Sequence, residues 1–110
     1  MGEVVVTIPR RGEIWWGESL TDKGRPYLVL SRDGATAVRS RTVVAPVTTR
    51  IRSHKAELPL GADEGLMRDC VANFDEVFTI AKSLLTRRLG SLSGVRIHDL
   101  CSVMRASIDC

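Results

Sequence analysis

The stretch TVVAPVTT, residues 42–49, is rich in β-branched residues, which favour strands because their side chains pack well on a pleated surface. Pro46 interrupts it, since proline lacks the backbone N–H that a neighbouring strand would bind. Proline in a sheet is therefore found at an edge, at a bulge or at a bend. These residues predict a strand with a kink at Pro46.

Short apolar segments flank this strand on both sides. Before it, residues 27–31 (YLVLS) form a continuous apolar run, typical of a strand covered on both faces, and residues 13–18 (EIWWGE) form a short aromatic strand. After it, residues 55–60 (KAELPL) alternate polar and apolar side chains, as in a half-exposed strand. Further short strands are predicted at residues 70–74 (CVANF), 77–80 (VFTI) and 88–92 (RLGSL).

Only the end of the chain has a helical period. Its apolar side chains fall on one helical stripe: Ile97, Leu100, Cys101, Met104 and Ile108. Ser93 precedes the stripe and can serve as the N-cap. Five to seven short strands followed by one helix predict a mainly β fold, a small barrel or sandwich with a C-terminal helix.

Length and composition indicate one domain. The chain has 110 residues, of which 44% are hydrophobic and 26% charged. A chain of this size buries roughly two-thirds of its unfolded surface, so it can fold alone. We expect one domain over residues 1–110, with residues 1–10 as an N-terminal arm. No apolar run approaches the roughly 18 residues of a membrane span, and residues 1–11 lack a secretory signal, so we expect a cytoplasmic protein without a membrane partner.

The charge is uneven along the chain. Residues 10–52 carry nine Lys or Arg against four acids, whereas residues 57–76 carry six acids against one Arg. The basic half suits anionic partners such as a phosphate backbone, although a solvated arginine-rich face would have the same composition.

Several site classes are absent from the sequence. The three cysteines, Cys70, Cys101 and Cys110, lack zinc spacing and are most simply free thiols. His54 and His98 lie far apart, with no ligand cluster around them. Phosphate-binding glycine loops and nucleophile elbows are also missing. We therefore expect neither a metal site nor a cofactor.

Four motifs, in this order, resemble the MazF/PemK toxins. They are RGEIWW at residues 11–16, GRP followed by an apolar strand at 24–32, VAPVTT at 44–49 and RLG at 88–90. The resemblance extends from about Arg11 to Ile108. It implies an SH3-like β-barrel with a C-terminal helix, in a homodimer that cuts single-stranded RNA at short motifs without a metal and so arrests growth. It also implies a partner antitoxin, whose disordered and usually acidic tail fills the RNA channel.

The resemblance places the family's catalytic arginine at Arg25 and its catalytic threonine at Thr48. Cleavage by the RNA 2′-hydroxyl requires stabilisation of the charge that develops on the phosphorane. A guanidinium can hold two phosphate oxygens at once, and a hydroxyl can donate to a third. Arg25 is a poor proton acceptor, because guanidinium remains protonated near neutral pH. Its expected role is therefore electrostatic.

Further residues are expected to bind RNA. These substrate-binding candidates are Trp16, Thr21, Lys23, Ser31, Thr49, Arg50 and Arg52. Trp15, Trp16 and Tyr27 are the aromatic candidates for base stacking, but adjacent tryptophans on a strand point to opposite faces, so at least one belongs to the core. Asp75 and Glu76 stand where other family members carry a different polar pair, often linked to base readout.

Two alternatives remain open on the same fold. Gyrase-poisoning toxins share this barrel, but they act through a tryptophan-containing C-terminal end, whereas this chain ends in ASIDC. A non-catalytic homologue that binds RNA or sequesters an antitoxin is the second alternative.

Overall fold

The computed structural model describes residues 8–18, 23–32 and 39–108. Within these ranges it has seven β-strands and one α-helix: β1 (Glu13–Gly17), β2 (Arg25–Val29), β3 (Arg41–Thr48), β4 (Glu57–Leu60), β5 (Cys70–Asn73), β6 (Phe78–Ala81), β7 (Leu85–Ser91) and α1 (Gly94–Ile108). Short 3₁₀ turns occupy Ala62–Glu64, Phe74–Glu76 and Lys82–Leu84. The predicted strands and terminal helix are confirmed, with boundaries that shift by up to three residues.

All strand pairs are antiparallel, in the order β4-β5-β3-β2-β1-β7, and β6 also pairs with β3. The sheet curls into a half-barrel with β3 at its centre. On one side β3 pairs with β2; on the other it pairs first with β6, through residues 41–44, and then with β5, through Val47 and Thr48.

Pro46 lies in the gap between these two partners. The β6 pairing ends at Val44 and the β5 pairing begins at Val47, so neither ladder requires an N–H from Pro46. The strand lies inside the sheet, so the edge position considered for Pro46 is wrong. The proline instead marks the point where β3 changes partner.

The turn after β4 packs on β7 and brings the two ends of the sheet together. Gly65, with φ of +88°, and Gly90 lie against each other's backbones there. A Cβ at Gly90 would lie 2.0 Å from the carbonyl oxygen of Glu64, and one at Gly65 would lie 2.2 Å from that of Leu89. Side chains at these positions would force the two segments apart.

The sheet has an apolar cluster on each face. The cluster on one face lies between the sheet and α1 and includes Ile14, Leu28, Ala45 and Val47 from the strands and Leu100 from α1. The other carries Trp15, Tyr27, Val29, Val44, Ile80 and Leu85. Because residues paired across antiparallel strands share a face, each side chain of the sheet can be assigned to the helix side or to this second side.

Helix α1 packs as its stripe predicts. Leu100 is fully buried, and Ile97, Cys101 and Met104 pack on the same cluster. The Ser93 hydroxyl accepts a hydrogen bond from the Arg96 amide at 3.4 Å, which confirms the N-cap. In the described part of the chain, no helix is long and apolar enough to cross a membrane.

Candidate active site

The strand register brings Arg25 and Thr48 together. Tyr27 pairs with Pro46, and continuing that antiparallel register by two residues sets Arg25 at the start of β2 opposite Thr48 at the end of β3. Paired residues share a face, here the one opposite the helix. Both side chains line one pocket of about 160 Å³, together with Pro46, Arg50, Arg52, Glu57, Asn73 and Glu76. We call this the arginine pocket.

Thr48 is held by the backbone that follows it. Its Oγ1 accepts a hydrogen bond from the Arg50 amide at 3.1 Å. A hydroxyl has one donor hydrogen besides its acceptor lone pairs. The Arg50 contact therefore fixes the oxygen and leaves the hydrogen available to donate into the pocket.

Arg25 carries an unsatisfied donor. Its Nε is buried and has no hydrogen-bond partner among the described residues. Leaving a buried polar donor unpaired costs about 1–3 kcal/mol, and more for a charged group, so such groups are rare outside functional sites. An anionic ligand in the arginine pocket could supply the missing acceptor.

Glu57 fixes the loop that carries the other two arginines. Its carboxylate accepts hydrogen bonds from the Arg52 amide at 3.0 and 3.2 Å and from the His54 amide at 3.5 Å. Between them Ser53 adopts a left-handed conformation, with φ of 56°. Because the carboxylate binds both sides of this strained residue, it holds the loop after β3 against the arginine pocket.

The register also explains the far wall of the pocket. Glu57 on β4 pairs with Asn73 on β5, and extending the β3–β5 pairing by one residue sets Asn73 beside Pro46. Glu76 follows in the 3₁₀ turn Phe74–Glu76. The predicted half-exposed pattern of β4 is wrong at Glu57, which is only 9% exposed because its carboxylate binds the loop.

The arginine pocket differs in charge from a larger cavity nearby. Among the described residues, the arginine pocket has three guanidinium groups against two carboxylates, a formal charge of +1. A cavity of about 690 Å³, which Glu57 also lines, has four carboxylates from the described part of the chain, those of Glu57, Asp63, Glu64 and Asp69, against Arg96 and His54. Although larger, that cavity is unsuited to a phosphodiester because its carboxylates repel anions.

The predicted binding residues divide between several places. Arg50 and Arg52 line the arginine pocket, whereas Thr49 is exposed and outside its lining. Ser31 lines a separate groove with Arg39 and Arg41, and its Oγ accepts a hydrogen bond from the Val43 amide at 2.8 Å. Lys23 is exposed, and Thr21 lies outside the described residues.

The aromatic candidates are mostly covered. Trp15 and Tyr27 are buried in the second cluster, as expected of at least one tryptophan. Trp16 pairs with Pro26, which sets it on the helix side, and its indole lies against Gly24. Phe78, not considered from the sequence, is 42% exposed and packs edge to face on Tyr27 at 5.6 Å. In the sequence, Phe78 follows Glu76 by two residues.

The histidines and cysteines take no part in the arginine pocket. His54 Nδ1 accepts the Ala56 amide and its Nε2 lies 3.4 Å from Asp75, while His98 is exposed on α1. Cys70 and Cys101 are free, and burial, followed by the charge of Asp69, raises the pKa of the Cys70 thiol. In the described residues, no group of three or more His, Cys, Asp or Glu is placed to hold a metal ion.

Comparisons with known proteins agree with this fold. Residues 10–108 match the family model of the PemK-like, MazF-like toxins of type II toxin–antitoxin systems. The chain is 37% identical to the probable endoribonuclease MazF5 of Mycobacterium tuberculosis, over 96% of this chain and 98% of that one. It is 40% identical to the probable endoribonuclease MazF2 of the same species, over 92% and 99%.

Comparisons with solved structures indicate the same fold. The toxin MazF-mt6 of M. tuberculosis superposes with a TM-score of 0.81 at 30% identity, over 88% of this chain and 96% of that one. A mycobacterial endoribonuclease in complex with its cognate antitoxin has a similar fold, with a TM-score of 0.82 at 21% identity, over 92% and 95%. This chain therefore belongs to the PemK/MazF family of type II toxin–antitoxin toxins.

Proposed function

We propose that this chain is the toxin of a toxin–antitoxin pair and a metal-independent endoribonuclease that cuts single-stranded RNA at a short sequence motif. It would act in the cytoplasm as a homodimer of one-domain chains, residues 1–110 with residues 1–10 as an arm, and arrest growth. Family membership and the relatives named as endoribonucleases support this activity. In this proposal, the catalytic groups come from the arginine pocket.

In the proposed mechanism the 2′-oxygen of one nucleotide attacks the adjacent phosphorus. The P–O5′ bond breaks, which leaves a 2′,3′-cyclic phosphate and a 5′-hydroxyl. Arg25 would bind the non-bridging oxygens as their charge grows, and Thr48 would donate its hydroxyl hydrogen to one of them. Arg50 and Arg52 would hold the flanking phosphates.

The observation that carries the proposal is the buried, unpaired Arg25 Nε in the same pocket as the oriented Thr48 hydroxyl. Preorganised donors of this kind are most effective where negative charge develops in a transition state. The three guanidinium groups also suit a second polyanion. An acidic, disordered antitoxin tail in this pocket would exclude RNA by charge as well as by bulk.

Incubating the purified protein with a long single-stranded RNA in the presence of EDTA tests the activity. We expect discrete fragments that end in 2′,3′-cyclic phosphate, and no cleavage of the matching DNA, since DNA lacks the attacking hydroxyl. Salt-sensitive RNA binding without cleavage would contradict the proposal and favour a non-catalytic binding protein.

Phe78 gives a prediction about RNA affinity. Stacking of a base on an aromatic ring is worth about 1–3 kcal/mol, so Phe78→Ala should weaken binding of a non-cleavable 2′-deoxy oligonucleotide about fivefold or more. Fluorescence anisotropy would measure this. Val95→Ala, on the exposed surface of α1, is the matched control and should bind as the unsubstituted protein does. Equal affinities of the two variants would exclude Phe78 from the RNA path.

A further inference from the structure

The proposed reaction needs a proton acceptor that neither Arg25 nor Thr48 supplies. The attacking 2′-hydroxyl must lose its proton as it bonds to phosphorus. Guanidinium groups remain protonated near neutral pH, which excludes Arg25, Arg50 and Arg52 as acceptors. A neutral threonine hydroxyl is too weak a base, and Thr48 Oγ1 already accepts the Arg50 amide.

The histidines are not placed for this role. His54 lines the larger cavity rather than the arginine pocket, and its ring nitrogens contact the Ala56 amide and the Asp75 carboxylate. His98 is exposed on α1, which packs on the opposite face of the sheet. Among the described residues, the pocket wall offers two carboxylates as acceptors, Glu57 and Glu76.

The Glu57 carboxylate is occupied by hydrogen bonds to the backbone. It is 9% exposed, and both its oxygens accept the Arg52 amide, with the His54 amide as a further contact. Protonating this carboxylate in each catalytic cycle would break the contacts that hold the strained turn at Ser53. Glu57 is therefore a positioning residue for the loop.

Glu76 differs from Glu57 in its exposure and in its hydrogen bonding. Its side chain is exposed, and it has no hydrogen-bond or ion-pair partner within the described ranges. It lies in the 3₁₀ turn that follows β5, on the wall shared with Asn73. Of the residues that the structure describes, the other charged groups that line this pocket are Arg25 from β2, Arg50 and Arg52 from the loop after β3, and Glu57 from β4.

Taking the proposed RNA cleavage as given, we propose that Glu76 is its general base, the catalytic residue that accepts the proton of the attacking 2′-hydroxyl. The proton passes to the Glu76 carboxylate as the 2′-oxygen bonds to phosphorus. The P–O5′ bond breaks, the leaving 5′-oxygen takes a proton from water, and protonated Glu76 returns its proton to the resulting hydroxide. RNA becomes a cyclic phosphate and a 5′-hydroxyl with no net gain of atoms.

Glu76→Gln tests the inference against a matched control. General base catalysis typically contributes 10²–10⁴-fold, so we expect the single-turnover cleavage rate to fall by about 100-fold or more. Binding of a 2′-deoxy oligonucleotide should be retained, because removing a negative charge does not weaken an anion site. Asp63→Asn is the control, since Asp63 is also exposed but lines the larger cavity rather than the arginine pocket, and it should cleave at nearly the unsubstituted rate.

Chemical rescue separates proton transfer from a structural or base-reading role. Glu76→Ala should regain activity when formate is added, because the small carboxylate can occupy the vacated wall, whereas Arg25→Ala should not. Unchanged cleavage by Glu76→Gln would overturn the inference. It would also be overturned if Glu76→Ala stopped cleaving at the original motif, cleaved at a different motif, and was not rescued by formate. Failure of the unsubstituted protein to cut RNA would instead overturn the proposed function.

Discussion

Arg25→Ala and Thr48→Ala should each slow RNA cleavage by about 100-fold or more, the loss typical of removing one preorganised donor. Arg25→Lys should also be impaired, because a lysine ammonium keeps the charge but not the planar fork or the Nε–H. Thr48→Ser should keep most activity, since it retains the hydroxyl. Single-turnover rates on one RNA substrate would measure all four variants.

Stability distinguishes this result from unfolding. Because Arg25 Nε is buried without a partner, Arg25→Ala should melt at the same temperature as the unsubstituted chain or higher. Arg87→Ala, an exposed arginine on β7 outside the pocket, is the charge-matched control and should retain cleavage. If Arg25→Ala and Thr48→Ala both cleave at nearly the unsubstituted rate, the assignment of the pocket is wrong.

Gly90→Ala should have the largest effect on stability. Its new Cβ would lie within 2.0 Å of the Glu64 carbonyl oxygen, where the opposing atom is backbone and cannot rotate away. Overpacking of this kind costs typically 1–3 kcal/mol, so we expect the melting temperature to fall by roughly 5–20 °C, or the chain not to fold. Thermal unfolding followed by circular dichroism would measure the change.

Gly94→Ala is the control for this experiment. A Cβ at Gly94, the first residue of α1, meets no atom within 4 Å. Alanine is also favoured over glycine in helices by up to about 1 kcal/mol, so this variant should melt at the same temperature or higher. Equal melting temperatures for Gly90→Ala and the unsubstituted chain would show that the contact between the β4 turn and β7 does not hold the sheet ends together.

The sequence predicted the elements well because they depend on local patterns. Alternation and β-branched residues identified the strands, and the apolar stripe with Ser93 identified α1 and its cap. Pro46 predicted a kink in this strand, and the structure places it where the β6 pairing of β3 gives way to the β5 pairing. Its position inside the sheet was not predictable, because the change of partner from β6 to β5 depends on pairings distant in sequence.

The candidate site was predictable only in part. Arg25 and Thr48 were chosen by motif, and their shared pocket follows from the β2–β3 register. Glu57 was missed because alternation assigns it to the exposed side, whereas two backbone amides draw its carboxylate inward. Glu76 lines the site from the 3₁₀ turn after β5, and Phe78 lies on β6, whose pairing with β3 no local pattern specifies. The exposure of these two side chains could likewise be seen only in the folded structure.

The central claim is that Arg25 and Thr48 bind the same phosphodiester. The most direct measurement is a crystal structure of the protein with an RNA that contains its cut motif and a single 2′-deoxy nucleotide at the cleavage point. We predict the scissile phosphate in the arginine pocket, with its oxygens within hydrogen-bond distance of the Arg25 guanidinium and the Thr48 hydroxyl. A scissile phosphate bound elsewhere, or in contact with neither side chain, would contradict this account.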